Sequence, residues 1–556
     1  MSETYLVGDL VADFLEGCGV TSAFGIVSVH NIPILDAVNK RNAIHFVMAR
    51  GEMGAGHMAD AYARVSGTLS VLITSTGPGA ANAASALVEA RFAGSPVLHI
   101  TGQTATKFAD RGLGTVHDVP DQLGMLRAVG KAAYRVRSAQ EALGVLTRAA
   151  VDALTPPRGP VTVEIPIDIQ RTAIPRPADL EDFSLPLPAP IQPSTADLKR
   201  LADVVLSARR PMLWFGNGAR TAGAPAQRLL DLGFRAVTSW NGRGVIPEDD
   251  ARSLGTLSGL GQPMVQAFYE TVDLMIVAGS RLRGHETYDF TVKLPRNLVQ
   301  IDVDAQANGR TYPAQHFFLG DSAATLAALL PLIEGRLSID PTFAKDFERL
   351  RDHARDDFRR SLGPYQSFPE QIRAALPRGA VWVRDITIAN SSWGNRLMPV
   401  YSPNENVYPV GAGIGLGLPL GVGAAVAGRG ERKTVVLSGD GGFTLNMSEL
   451  WTAVQEKLDL VILVMNDKGY GVIRQIQDAQ YGGRHSYDKL MVPDLEGVAK
   501  LASIPFWRVT RAGDLQELLG QAIAGGGPAL IEVDVASVGA IPPYYPYDQK
   551  PKHASR

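Results

Sequence analysis

Cysteine is almost absent from this sequence: Cys18 is the only one in 556 residues. No disulfide can therefore form within the chain, which fits a reducing compartment. A small buried apolar group is the expected role of Cys18. Residues 1–5 lack a basic stretch followed by an apolar one, so no secretory signal is expected. The sequence thus predicts a cytoplasmic protein.

Net charge and long apolar runs are equally scarce. The chain has 54 basic and 56 acidic residues, a net charge of −2, so neither nucleic acid nor an anionic membrane is an expected partner. Its 57 glycines and 36 prolines interrupt every apolar stretch before it reaches the length that spans a bilayer. The hydrophobic content of 45% and the charged content of 20% are ordinary for a soluble globular enzyme. A small-molecule substrate is the expected partner.

The length and the order of elements predict three α/β domains. A chain of 556 residues is too long for one core. Short apolar runs alternate with helical patterns, which indicates doubly wound parallel sheets covered on both faces. The predicted domains are residues 1–175, 190–340 and 365–540, followed by a carboxyl tail at 541–556.

Individual elements follow from the same patterns. Helices are predicted at residues 5–17, 81–93 and 343–360. Strands are predicted at residues 22–25, 69–74, 96–101, 211–215, 274–278, 298–302, 434–437, 460–465 and 530–534, the last of them closing the third sheet.

A glycine-rich turn directly follows the predicted strand at 434–437. It contains Gly439, Asp440, Gly441 and Gly442 and leads into a helix. In such a turn, backbone N–H groups approach phosphate oxygens and the helix N-terminus favours negative charge. A plain strand-to-helix turn with a capping residue is the alternative interpretation.

Asp440 within this turn is suited to a divalent cation. Mg²⁺ takes oxygen ligands in an octahedron and combines few protein groups with phosphates and water. The next predicted strand ends at Met465, followed by Asn466, Asp467 and Gly469. Because the carboxyl ends of parallel strands meet at one edge of a sheet, both segments are expected in the same crevice.

Glu52 opens a predicted helix made largely of Ala, Gly and Met. Few groups nearby would solvate its charge, so burial should favour the protonated acid over the carboxylate. The alternative role is a Glu that stabilises a helix N-terminus.

Glu52, the turn at 439–442 and the segment 465–471 together resemble the thiamine-diphosphate-dependent decarboxylase and carboligase family, of the acetolactate synthase and benzaldehyde lyase kind. The resemblance covers nearly the whole chain, because the family's pyrimidine-binding, middle and diphosphate-binding domains match the three predicted ones in size and order. It implies decarboxylation of a 2-oxo acid, or carboligation or cleavage of 2-hydroxy ketones, with thiamine diphosphate and Mg²⁺ as cofactors. It also implies a homodimer or homotetramer with active sites at the subunit interface.

The resemblance assigns roles to individual residues. Glu52 would hydrogen-bond the pyrimidine ring of the cofactor and promote loss of the thiazolium proton. The metal would be held by Asp440, Asp467 and the carbonyl of Gly469; the family often has Asn where this chain has Asp467, so Asn466 is the alternative ligand. The implied cofactor contacts are Thr76, Gly77 and Asn82 on the pyrimidine side, and Gly413, Ile414, Gly439, Asp440, Gly441, Gly442, Asp467, Gly469, Tyr470, Gly471 and Val472 on the diphosphate side. Ile414 falls where a bulky apolar side chain bends the cofactor, with ordinary core packing as its alternative.

Two of the ten histidines match family positions that face the reacting carbonyl: His30 and His117. A histidine can exchange protons near neutral pH, which carboligation requires. A hydrogen-bonded loop histidine is the alternative for each. His57 and His99 are expected to serve packing.

Several other functions are alternatives or are unsupported by the sequence. The glycine run at 411–417 does not complete a dinucleotide fingerprint, so an NAD-dependent dehydrogenase is unsupported. The middle domain has no phosphate-binding glycine fingerprint, so an empty structural domain is predicted, with FAD or ADP as the alternative. An FAD-retaining acetolactate synthase, a 2-hydroxyacyl-CoA lyase or oxalyl-CoA decarboxylase, and a non-catalytic binding paralogue remain alternative functions. The aromatic tail at 541–547 either caps the active site or packs on the surface, and the acyl donor and acceptor are not set by the sequence.

Overall fold

The computed structural model describes residues 4–543. Three parallel β-sheets follow one another along the chain, which confirms the predicted fold class of three α/β domains. Both faces of a central strand are buried: Leu72 packs in one hydrophobic core, whereas its neighbours Val71 and Ile73 pack in another. Alternate side chains of a strand point to opposite faces, so this is the burial of a sheet covered on both sides.

The first sheet has six strands in the order β2-β1-β3-β4-β6-β5. Its strands are β1 Ser22–Gly25, β2 His45–Met48, β3 Ser70–Thr74, β4 Val97–Gln103, β5 Ala132–Arg135 and β6 Val161–Pro166. Its helices are α1 Val7–Gly17, α2 Ile32–Arg41, α3 Glu52–Ser66, α4 Pro78–Ala93, α5 Gln122–Val129, α6 Ala142–Leu154 and α7 Ile167–Gln170.

The second sheet has five strands in the order β11-β10-β9-β7-β8. Its strands are β7 Pro211–Phe215, β8 Arg235–Thr238, β9 Leu274–Ala278, β10 Leu298–Asp302 and β11 His316–Leu319. The helices here are α8 Thr195–Leu206, α9 Gly223–Asp231, α10 Pro263–Tyr269, α11 Gly284–Thr287 and α12 Ser322–Ile333, and α13 Phe343–Arg360 leads to the third sheet.

The third sheet has six strands in the order β13-β12-β14-β15-β17-β16. Its strands are β12 Val381–Arg384, β13 Asn406–Val407, β14 Thr434–Gly439, β15 Leu460–Asn466, β16 Phe506–Val509 and β17 Ala529–Asp534. Its helices are α14 Phe368–Ala375, α15 Gly417–Ala427, α16 Asp440–Leu445, α17 Glu449–Gln455, α18 Gly471–Tyr481, α19 Leu495–Leu501, α20 Leu515–Gly525 and α21 Val535–Val538.

Most predicted elements are present, with one difference in the third sheet. The predicted strand at 530–534 does not close that sheet, because β16 lies outside β17 at the edge. The edge strand β16 is only four residues long and only partly buried, so it lacks the apolar run by which the central strands were found. Within residues 4–543, no helix combines the length and the apolar character that crossing a bilayer requires.

The first and third domains share one hydrophobic core, in which α3 packs against α15. The two helices approach closely because α15 has glycine at the contact: a Cβ atom added to Gly423 would lie 2.0 Å from the carbonyl oxygen of Met58. Small residues on both helices thus fix the position of α3, whose first residue is Glu52.

We expect Gly423→Ala to lower the free energy of unfolding by about 1–3 kcal/mol, because the added methyl group meets backbone that cannot rotate away. Gly520→Ala is the matched control, since Gly520 lies inside α20 and a Cβ there has no neighbour within 4 Å. Alanine is the better helix former, so the control should gain about 0.5–1 kcal/mol. Chemical denaturation of both variants measures the two shifts, and shifts of the same sign would contradict the proposed contact.

Candidate active site

A cavity of about 340 Å³ lies in the third domain, at the carboxyl ends of β12, β14 and β15. Ten residues predicted from the sequence line it: Ile414, Gly439, Asp440, Gly441, Gly442, Asp467, Gly469, Tyr470, Gly471 and Val472. Apolar residues that were not predicted as site residues complete the lining, together with Thr387: they are Ile386, Ile388, Ala389, Ala412, Met465, Ile473 and Ile541. The cavity is therefore apolar except around its acidic residues and backbone.

Asp440 has one carboxylate oxygen without a partner. Its Oδ2 accepts a hydrogen bond of 2.9 Å from the backbone N–H of Gly469, whereas its Oδ1 is buried and accepts none. Burial, together with the nearby charge of Asp467, raises the pKa of Asp440 to about 7. Burial also raises the pKa of Asp467. Asp440 is buried, whereas the side chain of Asp467 is 18% exposed and lies 3.9 Å from Arg474. Burial and Asp467 disfavour the charge of Asp440, and a cation at this place would stabilise it.

The protein groups fit Mg²⁺ only if other oxygens complete its coordination. Over residues 4–543, no group of three or more His, Cys, Asp or Glu side chains is placed to hold a metal. Two carboxylates and a backbone carbonyl would leave further positions for phosphate and water, which is the usual way that Mg²⁺ is bound beside a substrate or cofactor phosphate.

Asn466, the alternative ligand, is directed elsewhere. Its Nδ2 donates to Glu532 Oε1 at 2.7 Å, and its Oδ1 accepts from the backbone N–H of Lys468 at 3.3 Å. Asp467, in contrast, lies beside Asp440 and within the cavity lining.

Two glycines allow the loops around Asp440 to approach each other. A Cβ atom on Gly441 would lie 2.8 Å from the ring of Tyr470, and one on Gly471 would lie 2.2 Å from Asp467 Oδ2. Packing within the chain therefore accounts for glycine at these two positions before any phosphate is considered.

The turn that carries Gly413 and Ile414 is held by a buried carboxylate, Asp385 at the end of β12. Asp385 accepts hydrogen bonds from the backbone N–H of Ile386 at 2.7 Å and of Gly415 at 3.0 Å. Ile414 is 41% exposed and lines the cavity, so it is not a core residue of the single chain.

Glu52 is the first residue of α3 and belongs to a different part of the molecule from the cavity. Its Oε2 accepts from Asn82 Nδ2 at 3.2 Å, and its Oε1 lies 3.0 Å from where a Cβ atom of Gly79 would be. The side chain is half-buried in the single chain. The sequence predicted that Glu52 is buried, and in a single copy of the chain this is only partly so.

His30 and His117 lie side by side, with their Nδ1 atoms 3.4 Å apart and their ring centroids 5.2 Å apart. Burial and the proximity of His117 lower the pKa of His30. Two imidazoles at this distance can share one proton between them. His117 has a φ of 67°. Its carbonyl oxygen lies 2.3 Å from where a Cβ atom of Gly77 would be, so the backbone of His117 packs directly against Gly77.

His57 and His99 serve packing, as predicted. Both are fully buried, and burial lowers the pKa of each to about 3. His99 lies between the hydroxyl groups of Thr74 and Thr162, at 2.8 and 3.0 Å.

Thr76 and Gly77 are held by the side chain of Gln122, which was not predicted as a site residue. Its Oε1 accepts from the Thr76 hydroxyl at 2.9 Å and from the Gly77 N–H at 2.5 Å. Its Nε2 donates to Glu164 Oε1 at 2.7 Å. The Thr76 hydroxyl is thus used within the protein, and a cofactor would meet the backbone of this turn.

Among the described residues, the cavity around Asp440 contains none of the predicted residues of the first domain. Every residue that lines the third-domain cavity lies beyond position 385, whereas Glu52, His30, His117 and Thr76 belong to the first domain. We call these the pyrimidine half-site (Glu52, His30, His117, Thr76, Gly77 and Asn82) and the diphosphate half-site (the cavity lining around Asp440).

A second cavity, of about 530 Å³, lies at the carboxyl ends of the middle-domain strands. Its lining includes Arg281, Arg283 and Asp302. Gly218 and Gly279 also line it, but a Cβ atom on Gly279 would lie 2.5 Å from the carbonyl carbon of Gly218, so contact between the two loops accounts for these glycines.

Comparison with known families and proteins agrees with this layout. Three family descriptions match the chain: "Thiamine pyrophosphate enzyme, N-terminal TPP binding domain" at residues 6–125, "central domain" at 198–329 and "C-terminal TPP binding domain" at 388–533. A probable 2-ketoarginine decarboxylase of Pseudomonas aeruginosa is 32% identical over 476 residues, which are 85% of this chain and 84% of that protein.

Acetolactate synthases are similar over almost the full length. Acetolactate synthase 2 of Zea mays is 29% identical over 560 residues, covering 97% of this chain and 86% of the relative. The large subunit of acetolactate synthase isozyme 1 of Escherichia coli is 26% identical over 557 residues, covering 97% and 95%. With thiamine-pyrophosphate-binding domains at both ends of the chain, and with relatives that are decarboxylases and carboligating synthases, this protein belongs to the thiamine-pyrophosphate-dependent decarboxylase and carboligase family.

Proposed function

We propose that the protein uses thiamine diphosphate and Mg²⁺ to break or form the carbon–carbon bond beside the carbonyl of a 2-oxo acid or 2-hydroxy ketone whose acyl group is apolar. One observation supports this most directly: Asp440, with an unpaired buried oxygen, faces Asp467 in a cavity whose other side chains are almost all apolar. When bound, the cofactor supplies a nucleophilic carbon and accepts the electrons of the cleaved bond.

The chain's own residues would bind the metal and the cofactor, orient the cofactor and transfer protons. Asp440, Asp467 and the carbonyl of Gly469 would hold Mg²⁺, and through it the diphosphate. Glu52 would hold a proton against the pyrimidine ring, with Asn82 keeping its carboxyl group in place. Of the two neighbouring histidines, the one that carries the shared proton would give it to the substrate oxygen, and the other would take it back.

A second copy of the chain would bring the half-sites together. Large apolar side chains are exposed beside both of them: Val29 and Val116 near the histidines, and Ile414 and Leu445 near Asp440. Exposed apolar groups clustered around an incomplete site are typical of an interface. We therefore propose a homodimer, or a homotetramer made of two such dimers, in which each active site combines Glu52 of one copy with Asp440 of the other.

The apolar lining also bears on the substrate. Asp440 and Asp467 are the acidic side chains of the cavity, and both are assigned to the cation. A positively charged acyl side chain would therefore find no free counter-charge there, and its desolvation would be uncompensated. Aliphatic or aromatic 2-oxo acids fit this half-site better.

A donor panel tests this function. We expect turnover of an apolar 2-oxo acid that requires both thiamine diphosphate and Mg²⁺, and at least about 10-fold lower kcat/KM for donors with a charged side chain. Product analysis separates aldehyde release from carboligation. If no 2-oxo acid or 2-hydroxy ketone reacts while a CoA ester does, the CoA-dependent alternative is correct; flavin absorbance of the purified protein would indicate an FAD-retaining synthase.

A further inference from the structure

The turn that precedes Glu52 is held by a buried carboxylate of the third domain. Glu449, the first residue of α17, is 1% exposed. Both of its carboxylate oxygens lie 3.2 Å from the backbone nitrogen of Arg50, which donates to them, and the Gly51 N–H donates as well. The hydroxyl group of Thr452 donates to Oε2 at 2.6 Å.

This contact completes the start of α3. The first N–H groups of a helix have no partners within the helix, and Gly51, the N-cap of α3, has no side chain to supply one. Glu449, from another domain, accepts from the N–H of this N-cap residue and from that of Arg50 just before it. Its carboxylate lies directly against the first turn, because a Cβ atom on Gly54 would be 2.1 Å from Glu449 Oε1. The direction of the Glu52 side chain follows from the backbone that Glu449 holds.

Other contacts from α17 reach the same turn. Arg50 Nη2 donates to Gln455 Oε1 at 2.9 Å and to the carbonyl oxygen of Trp451 at 3.4 Å. The segment from α16 to α17 thus links the two half-sites. It begins with Asp440 of the diphosphate half-site. It continues into α17, which contacts the backbone just before Glu52 of the pyrimidine half-site.

We propose that Glu449 is a positioning residue that acts through Glu52 of its own chain. This role rests on the proposed function, in which Glu52 completes the active site of a second copy. It has a specific consequence: Asp440 and Glu449 are close in sequence and lie in one domain, yet they serve two different active sites.

Glu449→Gln tests the positioning role. The amide keeps the size of the side chain but leaves one acceptor oxygen for the three donors Arg50, Gly51 and Thr452. We expect kcat to fall about 10-fold or more, because small displacements of a catalytic group are costly. The affinity for thiamine diphosphate with Mg²⁺ should hardly change. In a Glu52→Gln background, the Glu449 substitution should cause no further loss, since both act on one step.

Hydrogen exchange provides a measurement that does not depend on activity. In full-length Glu449→Gln protein, the backbone amides of residues 50–56 should exchange faster than in wild type, while those of α4 should not change. Glu456→Gln is the matched control: Glu456, the residue directly after α17, also contacts the first domain, but its carboxylate pairs with His45 at 2.6 Å and with Arg429 at 2.8 Å. Faster exchange in both variants, or in neither, would overturn the specific role of Glu449.

Mixed oligomers test the assignment to different sites. Glu449→Gln and Asp440→Ala chains carrying different tags are co-expressed, and oligomers containing both are purified. One site then combines an intact Glu52 turn from the Asp440→Ala chain with an intact diphosphate half-site from the Glu449→Gln chain. Activity above that of either homo-oligomer is expected, and no recovery would refute the assignment.

The outcomes separate this inference from the proposed function. If Glu52→Gln retains normal turnover, the proposed role of Glu52 is wrong whatever Glu449→Gln does. If Glu52→Gln is inactive while Glu449→Gln has normal turnover and normal exchange, only the role of Glu449 is wrong.

Discussion

Glu52→Gln is expected to lower kcat by about 10²- to 10⁴-fold, the range typical of losing a general acid or base. Glutamine keeps the size of the side chain and its contact with Asn82, which lies 3.2 Å away, but it cannot give up or accept a proton. Binding of the cofactor should survive, because the diphosphate half-site is formed by other residues. The measurements are steady-state kinetics with saturating cofactor and a calorimetric titration of thiamine diphosphate.

Asp36→Asn is the control for this substitution. Asp36 is a carboxylate of the same domain, 56% exposed and paired with Lys40 on the surface of α2, so its replacement should leave turnover unchanged. Near-normal activity of Glu52→Gln would show that another group supplies the proton. Loss of both activity and cofactor binding would show that Glu52 supports the fold of the site.

Asp440→Asn should abolish metal-dependent binding of the cofactor, with an affinity loss of about 10²-fold or more. Even groups that only support a metal ligand typically cost 10- to 100-fold when removed. In the absence of cofactor, Asp440→Asn should not destabilise the protein. It removes a buried carboxyl group whose charge is disfavoured by burial and by Asp467, so the unfolding temperature should stay equal or rise.

Thermal unfolding with and without thiamine diphosphate and Mg²⁺ measures both effects. Wild type should be stabilised by the ligands, whereas Asp440→Asn should not. Asp459→Asn is the control. Asp459 lies just before the amino-terminal end of β15, whereas Asp467 follows its carboxyl end, and Asp459 pairs with Lys433. Ligand-induced stabilisation of Asp440→Asn equal to that of wild type would show that the cation binds elsewhere.

The sequence predicted the central elements well because their patterns are local. The strands at 211–215, 274–278 and 298–302 and the helix at 343–360 have the predicted bounds. The central strands are apolar on both faces and end at Gly, Ser or Asp, so burial and turn residues mark them together. Asp440, Asp467 and the glycines between them follow such strands, which is why most of the diphosphate half-site was predicted.

The residues that hold the half-sites in place were not predicted, because their partners are distant in sequence. Glu449 contacts the backbone at 50–51, and Glu89 accepts from the N–H groups of Val410 and Gly411, just before the turn with Ile414. No periodicity links such positions. One signal was available for Glu449: it is a carboxylate in an otherwise apolar helix start, the same feature that singled out Glu52. Of the aromatic tail, residues 544–547 lie outside the described residues, so capping the active site and packing on the surface both stay as alternatives for it.

The shared core of the first and third domains has a consequence for biosynthesis. α3 is buried from Gly54 to Val65, and much of that burial is against α15, which begins more than 300 residues after α4 ends. At about 10 residues per second, a ribosome needs on the order of half a minute to make the intervening chain. Throughout that interval the side of α3 that packs against α15 lacks this partner on the nascent polypeptide. We therefore expect this surface of the first domain to need chaperone cover during translation, and a message truncated after the middle domain to yield an aggregation-prone product.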